Sequence, residues 1–382
     1  MKDCHILTAA WGNTYIDMLV LTNVPTLLAE GNLPELAKEY NVIIKIYTTP
    51  DFTDKLENHP ELVHLKQRYP VEIITVNETE ELHRLERYTH ITRLAMAEAL
   101  AAGAALLLNS PDNIWADGSF RYLAKQAKRG TKIFCGSTVR STAETMVREI
   151  LRGYPIDDNG AISIGNRDLV RFSIKHMHWI ERTAIWKHSP FRTFPINLYW
   201  PMASTSMIGC YYYYFPFFMT EVLGEHTDHR TIDFAYLNTI YENEPERFKR
   251  EVKFILSSEI LFSASLTIRD FEWPFDTQKS GSPEFVAQKA MSVVNPANRL
   301  FIQKKFWMIG EKLSILQRIK ASLRVDWTLA RILYITALGE NEPKWLGKIG
   351  IWLKILGRIQ AKLWIPACCF FQARKVIAEP AE

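Results

Sequence analysis

The first 150 residues alternate between short apolar runs and longer amphipathic stretches. The amphipathic stretches predict helices, most clearly at residues 85–102, where Leu94, Ala97 and Leu100 recur at helical spacing. Strands separated by helices indicate βαβ units and a largely parallel sheet, so the predicted fold class is α/β. The apolar runs have the length and composition of buried strands and lie at residues 4–10, 42–48, 71–76, 104–108 and 132–135.

Polar residues follow four of these predicted strands, at residues 8–13, 48–51, 109–112 and 136–140. Ligands of open α/β sheets bind beyond the carboxyl ends of the strands, so we expect these segments to converge on one site. The most distinctive is an apolar strand that ends at a turn with Asp112, followed by Asp117. These two aspartates have two possible roles. They bind a ligand, or they are structural, as a turn residue and a helix N-cap.

The pattern changes after Gly153. Aromatic-rich strands are predicted at residues 196–200 and 207–215, and a dense polar loop at 225–233. From residue 298 the chain is predicted to be helical and basic. The predicted organisation is a catalytic α/β domain at 1–297, with a nucleotide-binding half (1–152) and an acceptor half (153–297), and a helical segment at 298–382.

Composition places the chain among globular proteins, with 47% hydrophobic and 23% charged residues. The five Cys form neither a disulfide framework nor a zinc-binding spacing, which favours a reducing, cytoplasmic setting. We expect no signal peptide, and no transmembrane helix, because there is no uninterrupted apolar run of eighteen residues.

The net charge of +4 is unevenly distributed along the chain. Residues 298–375 contain fifteen Lys and Arg against four Asp and Glu, whereas residues 1–297 contain 31 basic and 36 acidic residues. Residues 344–364 mix Trp, Leu and Ile with Lys and Arg at near-helical spacing, which is typical of a helix lying in a membrane interface. Residues 344–364 therefore predict that the protein attaches peripherally to the inner face of the cell membrane. They also predict that it binds no nucleic acid. The alternative is an amphipathic helix packed on the protein's own core.

The order of the strands, with endings near Asp51 and Asp112, resembles the GT-A fold of nucleotide-sugar glycosyltransferases. The resemblance covers roughly residues 1–260 and rests on order and spacing. In that family an Asp-x-Asp motif after a mid-sheet strand binds a divalent metal and the diphosphate of the nucleotide sugar. Here the corresponding residues are Ser110-Pro111-Asp112, so the first aspartate is missing.

The resemblance implies that Asp112 holds Mg²⁺ or Mn²⁺, which prefer oxygen ligands. Asp117 is a second candidate ligand, provided that residues 114–116 fold back, and His229 in the polar loop is a third. Arg140 and Arg93 are candidate phosphate contacts, because guanidinium groups bind phosphate in a bidentate manner. For both arginines, a surface or ion-paired side chain is the alternative.

The resemblance also assigns roles to five further residues. Thr8 and Asp51 correspond to positions that contact the nucleobase and ribose, and Trp11 provides a face for stacking. In inverting members of the family a carboxylate from the second half acts as general base. Asp233 is the first candidate and Asp228 the second, and the alternative for Asp233 is an N-cap of the helix predicted at 234–241.

The motifs of several other enzyme classes are missing from the sequence. It contains no phosphate loop, no Gly-x-Gly-x-x-Gly and no Gly-x-Ser-x-Gly. We therefore predict a glycosyltransferase that transfers a sugar from a nucleotide-sugar donor to a glycan or lipid-linked glycan, as in surface polysaccharide synthesis. The alternatives are a nucleotidyltransferase-like α/β enzyme and a non-catalytic membrane-docking module that retains the fold.

Overall fold

The computed structural model describes residues 1–77, 84–227, 230–272, 276–293 and 295–339. In these residues the strands are β1 Lys2–Ala9, β2 Tyr40–Thr48, β3 Val71–Thr75, β4 Ala105–Leu108, β5 Asn113–Trp115, β6 Ile133–Gly136, β7 Val139–Thr142, β8 Phe191–Arg192, β9 Asn197–Ala203, β10 Ser206–Tyr211, β11 Phe215–Met219, β12 Val252–Phe254, β13 Ser263–Thr267, β14 Thr277–Gln278 and β15 Lys305–Ile309.

The α-helices of the same residues are α1 Asn13–Met18, α2 Val24–Leu27, α3 Leu33–Leu36, α4 Pro50–Glu57, α5 Val63–Arg68, α6 Arg84–Ala101, α7 Ser119–Ala127, α8 Ala143–Gly153, α9 Asn166–Lys175, α10 Trp179–Arg182, α11 Ile232–Asn243, α12 Pro245–Glu251, α13 Pro283–Val293, α14 Pro296–Phe301 and α15 Ile315–Gly339. A π-helical turn at Leu19–Asn23 joins α1 to α2, and a 3-10 turn at Pro60–Leu62 precedes α5. None of these helices is both long enough and apolar enough to span a membrane.

A seven-stranded sheet in the order β12-β6-β11-β4-β1-β2-β3 forms the centre of the molecule. Strand β11 is antiparallel to both its neighbours, whereas the other adjacent pairs are parallel. The predicted α/β class with a largely parallel sheet and flanking helices is confirmed. From β1 the chain adds β2 and β3 on one side and later β4 on the other, so the strand order reverses between β1 and β4. This reversal is the point at which open α/β sheets bind ligands.

Both faces of the sheet are buried, and alternate residues of each strand enter different cores. Leu7 and Leu108 pack with residues of α6 and α11, whereas Ile6 and Leu107 pack with residues of α1, α2 and α7. This two-residue alternation between two apolar faces explains why β4 is a continuous apolar run. The helices therefore cover both faces of the sheet.

A three-stranded sheet in the order β5-β13-β7 extends the molecule beyond the carboxyl ends of β4 and β6. Strand β5 follows β4 after a short turn, β7 follows β6, and β13 lies between them, antiparallel to β5 and parallel to β7. The register places Ser265 opposite both Asn113 and Arg140. The small sheet thus brings the polar segments after β4 and β6 to within two strands of each other.

A further sheet in the order β15-β10-β9 packs against α13 and α15. Because β15 pairs with β10, the chain does not leave the fold at the predicted boundary after residue 297, and the segment that follows is not wholly helical. Strands β11 and β12, which lie after residue 152 in the predicted acceptor half, also belong to the central sheet. The predicted membrane segment at 344–364 lies outside the described residues.

Candidate functional site

A buried polar network holds the turn that follows β4. The side chains of Asn23 and Asn109 donate to each other's amide oxygen at 2.9 and 2.8 Å. Asn109 also donates to the Thr8 hydroxyl at 2.8 Å and accepts from the Trp115 indole at 2.9 Å. Asn23 ends the π-helical turn, a feature often found at functional sites. Because all four residues are buried, their bonds fix the backbone that presents Asp112.

Asp112 lies at the end of this turn with hydroxyl groups on both carboxylate oxygens. Ser110 donates to Oδ1, and Ser265 of β13 donates to Oδ2 at 2.7 Å. The Asp112 carbonyl also accepts from the Leu266 amide at 2.7 Å, which fastens the turn to the small sheet. The side chain is 8% exposed in the absence of a ligand. Serine hydroxyls can rotate and donate elsewhere, so these oxygens can exchange their partners for a ligand.

Arg140 lies on β7 of the small sheet, opposite Ser265 of β13, whose hydroxyl donates to Asp112. The Nη1 of Arg140 donates to the Thr267 hydroxyl at 3.4 Å, and Thr267 is two residues beyond Ser265 on the same face of β13. That separation is about 7 Å along a strand. The Arg140 side chain is about one-third exposed, so its guanidinium can reach a ligand. A carboxylate and a guanidinium therefore bind to positions of β13 that are two residues apart, beyond the carboxyl ends of β4 and β6.

Asp233 and Tyr88 complete the group. Burial and the charges of Asp112 and Asp233 together raise the pKa of the Tyr88 hydroxyl. The Arg140 charge acts on the Asp233 carboxyl, whose pKa burial nevertheless raises above its ordinary value. These electrostatic interactions place Tyr88 of α6, Asp112 of the turn after β4, Arg140 of β7 and Asp233 of α11 in one region of the molecule. We call Tyr88, Asp112, Arg140 and Asp233 the edge site.

Asp233 lies in the first turn of α11, which begins at Ile232. It accepts hydrogen bonds from the Thr231 hydroxyl and from the amides of Asp233 and Phe234, and these bonds only partly oppose the effect of burial on its pKa. Asp233 can therefore accept hydrogen bonds at the start of α11 and also belong to the edge site. Tyr213 is half-buried, packs on Phe234 with ring centroids 4.9 Å apart, and lies within the field of Asp233. Of the four consecutive tyrosines at 211–214, the other three are buried.

A buried ionic cluster lies behind Arg140. Arg192 donates to Asn197 at 2.8 Å, and Asn197 and Tyr199 donate to Oε2 of Glu181 at 2.7 and 2.8 Å. The other Glu181 oxygen lies 3.9 Å from Nε of Arg140. Glu181 is thus held on one side and directed at Arg140 on the other. A buried carboxylate with fixed partners restricts the position of the arginine that it faces.

Several residues predicted as nucleotide contacts have other partners. Thr8 is 1% exposed, and its hydroxyl accepts from Asn109, so its side chain supports the turn that follows β4. Trp11 is half-buried, with the Arg87 guanidinium 5.5 Å from its ring centroid, so a cation contacts the ring predicted to stack on a base. Asp51 is exposed in the first turn of α4, beyond the carboxyl end of β2.

The structure separates Asp117 and Arg93 from the edge site. Asp117 was expected to join Asp112 by a backward turn, but β5 is extended between them, and its three residues alone span about 10 Å. Its carboxylate accepts from the Gly31 amide at 2.7 Å and the Ser163 hydroxyl at 2.5 Å. Arg93 lies five positions beyond Tyr88 on α6, about 140° around the helix, so the two do not share a face.

The structure limits what a metal site here would contain. Within the described ranges, no group of three or more His, Cys, Asp or Glu is arranged to hold a metal ion. Asp112 fits a single carboxylate position of Mg²⁺ or Mn²⁺, and such ions are commonly bound through one or two carboxylates together with substrate phosphates. The predicted ligand His229 and the second candidate base Asp228 lie outside the described residues.

Sequence reasoning missed four residues that shape the site: Tyr88, Asn109, Ser265 and Glu181. Only Asn109 carried a signal, because it follows an apolar strand directly. Tyr88 lies inside an ordinary helical pattern, and Ser265 and Glu181 belong to no motif. Their roles depend on the register of β13 and the packing of α10, which local sequence does not reveal.

No protein-family model matches this chain, and no curated protein is detectably similar to it. Among solved structures, it is weakly similar to a candidate glucose-1-phosphate thymidylyltransferase from Bacillus anthracis in complex with sucrose. The identity is 11%, over 36% of this chain and 55% of the other, with a TM-score of 0.25. The 4-diphosphocytidyl-2C-methyl-D-erythritol synthase of Anaerococcus prevotii shows 15% identity over 43% of this chain and 64% of the other, with a TM-score of 0.24. The chain thus spans less than two thirds of either protein, and similarity at this level supports no conclusion about its activity.

Proposed function

We propose that this protein is a glycosyltransferase that transfers a sugar from a nucleotide-sugar donor to a hydroxyl group of a glycan or lipid-linked glycan. The observation that carries the proposal is the convergence of Asp112, Arg140 and Asp233 at the reversal of strand order. Arg140 supplies positive charge for a diphosphate, and Asp112 supplies a ligand for a cation bound to it. Asp233 supplies a base at the same place.

In the proposed reaction, the bond between the anomeric carbon and the diphosphate oxygen breaks, and its electron pair leaves with the nucleoside diphosphate. The acceptor hydroxyl oxygen forms the new bond to that carbon, and its proton passes to the Asp233 carboxylate. The raised pKa of Asp233 makes it a stronger base than an ordinary aspartate. Arg140, fixed by Glu181, stabilises the charge that develops on the leaving diphosphate.

A divalent cation held by Asp112 would supply further charge stabilisation to the diphosphate when bound. Residues of the protein perform the other roles. The Asn23–Asn109 pair holds the Asp112 turn, and Ser110 and Ser265 keep the carboxylate oriented until a ligand replaces them. Tyr213, beside Asp233, is placed to contact the acceptor sugar through its ring.

The base distinguishes this proposal from nucleotidyl transfer. A sugar phosphate that attacks a nucleoside triphosphate is already an anion and needs no group to remove its proton. A sugar hydroxyl is neutral and does need one. Asp233, with its raised pKa, therefore favours a hydroxyl acceptor and glycosyl transfer.

Calorimetry and donor turnover together test the proposal. We expect UDP or GDP to bind only when Mn²⁺ is present. We expect Asp112→Asn to lose this Mn²⁺-dependent binding. Asp233→Asn should retain binding but lose turnover about 10² to 10⁴-fold. Asp158→Asn, at an exposed loop position, is the matched control.

Three outcomes would contradict the proposal. Binding of nucleoside triphosphates alone would favour the nucleotidyltransferase. Failure of any nucleotide to bind would favour the non-catalytic module. Unchanged turnover in Asp233→Asn would remove that residue from the mechanism.

A further inference from the structure

Helix α15 exposes a continuous apolar stripe. Leu316, Ile319, Leu323 and Trp327 are 59%, 40%, 40% and 51% exposed. Their spacing of three, four and four residues places them within about 80° of one another around the helix. Apolar side chains this exposed are common singly, but a stripe over three turns indicates a surface that contacts something.

Helix α15 is held in the fold by its other side. The opposite side of α15 carries Ala321, Val325, Leu329 and Ile332, which are buried in the core with Trp200 and α13. The only acidic residue of α15, Asp326, is also buried and accepts from Lys305 at 2.7 Å. The exposed surface of this helix therefore carries no negative charge.

A row of cations lies beside the stripe. Lys320, Arg324 and Arg331 are exposed and project about 40° to 80° from Leu316 around the helix axis. Arg331 forms an exposed ion pair with Glu284 at 2.9 Å, which leaves the row basic overall. Apolar side chains with Trp, next to a basic row, are typical of helices that lie in the headgroup region of a membrane.

We propose that this face of α15, defined by Leu316, Ile319, Leu323, Trp327, Lys320 and Arg324, docks on an anionic lipid surface. The charges select this occupant over two others. A second copy of the chain related by a twofold axis would place the same basic row against itself. The chain's own residues 344–364 contain five basic residues and no Asp or Glu, so they would repel the basic row.

An anionic bilayer satisfies both parts of the surface. Its acyl boundary accepts the apolar side chains, and its headgroups attract Lys320 and Arg324. Each basic residue near such a surface contributes about 1 kcal/mol, which corresponds to about fivefold in binding. This inference rests on the surface of α15 and is independent of the proposed enzymatic activity.

Co-sedimentation of the full chain with lipid vesicles tests the inference. We expect the protein to bind vesicles of phosphatidylcholine mixed with phosphatidylglycerol more tightly than vesicles of phosphatidylcholine alone. The double variant Lys320→Gln/Arg324→Gln should bind the anionic vesicles about 25-fold more weakly. Leu323→Ser should also weaken binding, because it removes apolar area from the bilayer.

Two matched variants control for general effects. Lys249→Gln removes an exposed positive charge from α12, and Leu94→Ser removes an exposed leucine from α6, so both should bind like the wild type. Equal binding by wild type and the α15 double variant would overturn the inference, as would equal binding to both kinds of vesicle. A change from dimer to monomer in Leu323→Ser, measured by light scattering without lipid, would show that a second copy occupies this face and would also overturn it.

Discussion

Asp112 and Asp117 lie at opposite ends of β5, five residues apart, and their carboxylates have different kinds of partner. Asp112 accepts from two serine hydroxyls, of Ser110 and Ser265. Asp117 accepts from the Gly31 backbone amide and the Ser163 hydroxyl. A methyl group at Gly31 would collide with the Asp117 carboxylate and the backbone after it, so the packing at that end is close.

The difference lies in what each partner does when the carboxylate is engaged by a ligand. A hydroxyl can rotate and donate to water or to the ligand, whereas the Gly31 amide is fixed by the backbone and would lose its acceptor. Asp112 is therefore suited to exchange its partners, and Asp117 to join two loops permanently. The same residue type is thus suited to exchange partners at one end of a strand and to hold structure at the other.

The largest expected effect is on turnover. Asp112→Asn should lower kcat/KM for the nucleotide-sugar donor by at least about 100-fold, because it weakens the stabilisation of the leaving diphosphate. Asp117→Asn should stay within about twofold of the wild type per folded molecule, since it keeps an acceptor for Gly31. Release of nucleoside diphosphate measures both. Equal losses in the two variants would erase the distinction between the two ends of β5.

The next effect is on stability, and here the Asp117 variant should lose more than the Asp112 variant. Asp117→Ala leaves the buried Gly31 amide without its acceptor and should lower the free energy of unfolding by about 1 to 3 kcal/mol. Asp112→Ala should cost less, because the hydroxyls that it frees can turn to other acceptors. Urea unfolding of the two variants gives the comparison directly. A larger loss for Asp112→Ala would mean that its turn is primarily structural.

Arg140→Lys tests whether the charge beside Asp112 belongs to the same site. Lysine keeps the charge but loses the bidentate geometry and the contact with Glu181, so nucleoside diphosphate affinity should fall about tenfold. Arg171→Lys, at an exposed position of α9 paired with Asp168, is the matched control and should leave affinity unchanged. Calorimetric titration with UDP or GDP measures both, and an unchanged affinity in Arg140→Lys would exclude Arg140 from phosphate binding.

The smallest effect extends the comparison to Asp233. Burial raises its pKa in the folded chain, so the folded state holds this proton more tightly than the unfolded state does. Its contribution to stability is therefore present at low pH and is lost as the pH rises through the folded-state pKa. Asp233→Asn should be more stable than the wild type at neutral pH, by on the order of 0.5 kcal/mol.

This difference should disappear below the ordinary pKa range of aspartate, where the wild-type residue is protonated in both states. Thermal unfolding at several pH values provides the measurement. If Asp233→Asn is instead less stable at neutral pH, the ionised carboxylate serves mainly to cap α11.

The central strands could be predicted because each carries its own signal. Four consecutive apolar residues in β4, and the β-branched run of β2, are buried whichever elements lie beside them. Short strands were missed for the opposite reason. Three residues at β5 and four at β7 have no periodicity of their own, and they become strands only because β13 pairs with both. The resulting sheet places Arg140 opposite Ser265, which donates to Asp112.

The sequence by itself determined the α/β class and the order of the main strands along the chain, because hydrophobic periodicity is a local property. The strand endings predicted a site at the carboxyl ends of these strands. The sequence also identified Asp112, Arg140 and Asp233 as candidates. The tertiary structure decided which candidates meet. It placed Thr8 beneath the turn and Asp117 at the far end of β5, and it added Tyr88 and Glu181 from distant parts of the chain. Hydrogen bonds and charges act between residues close in space, and that closeness depends on strand register and helix packing.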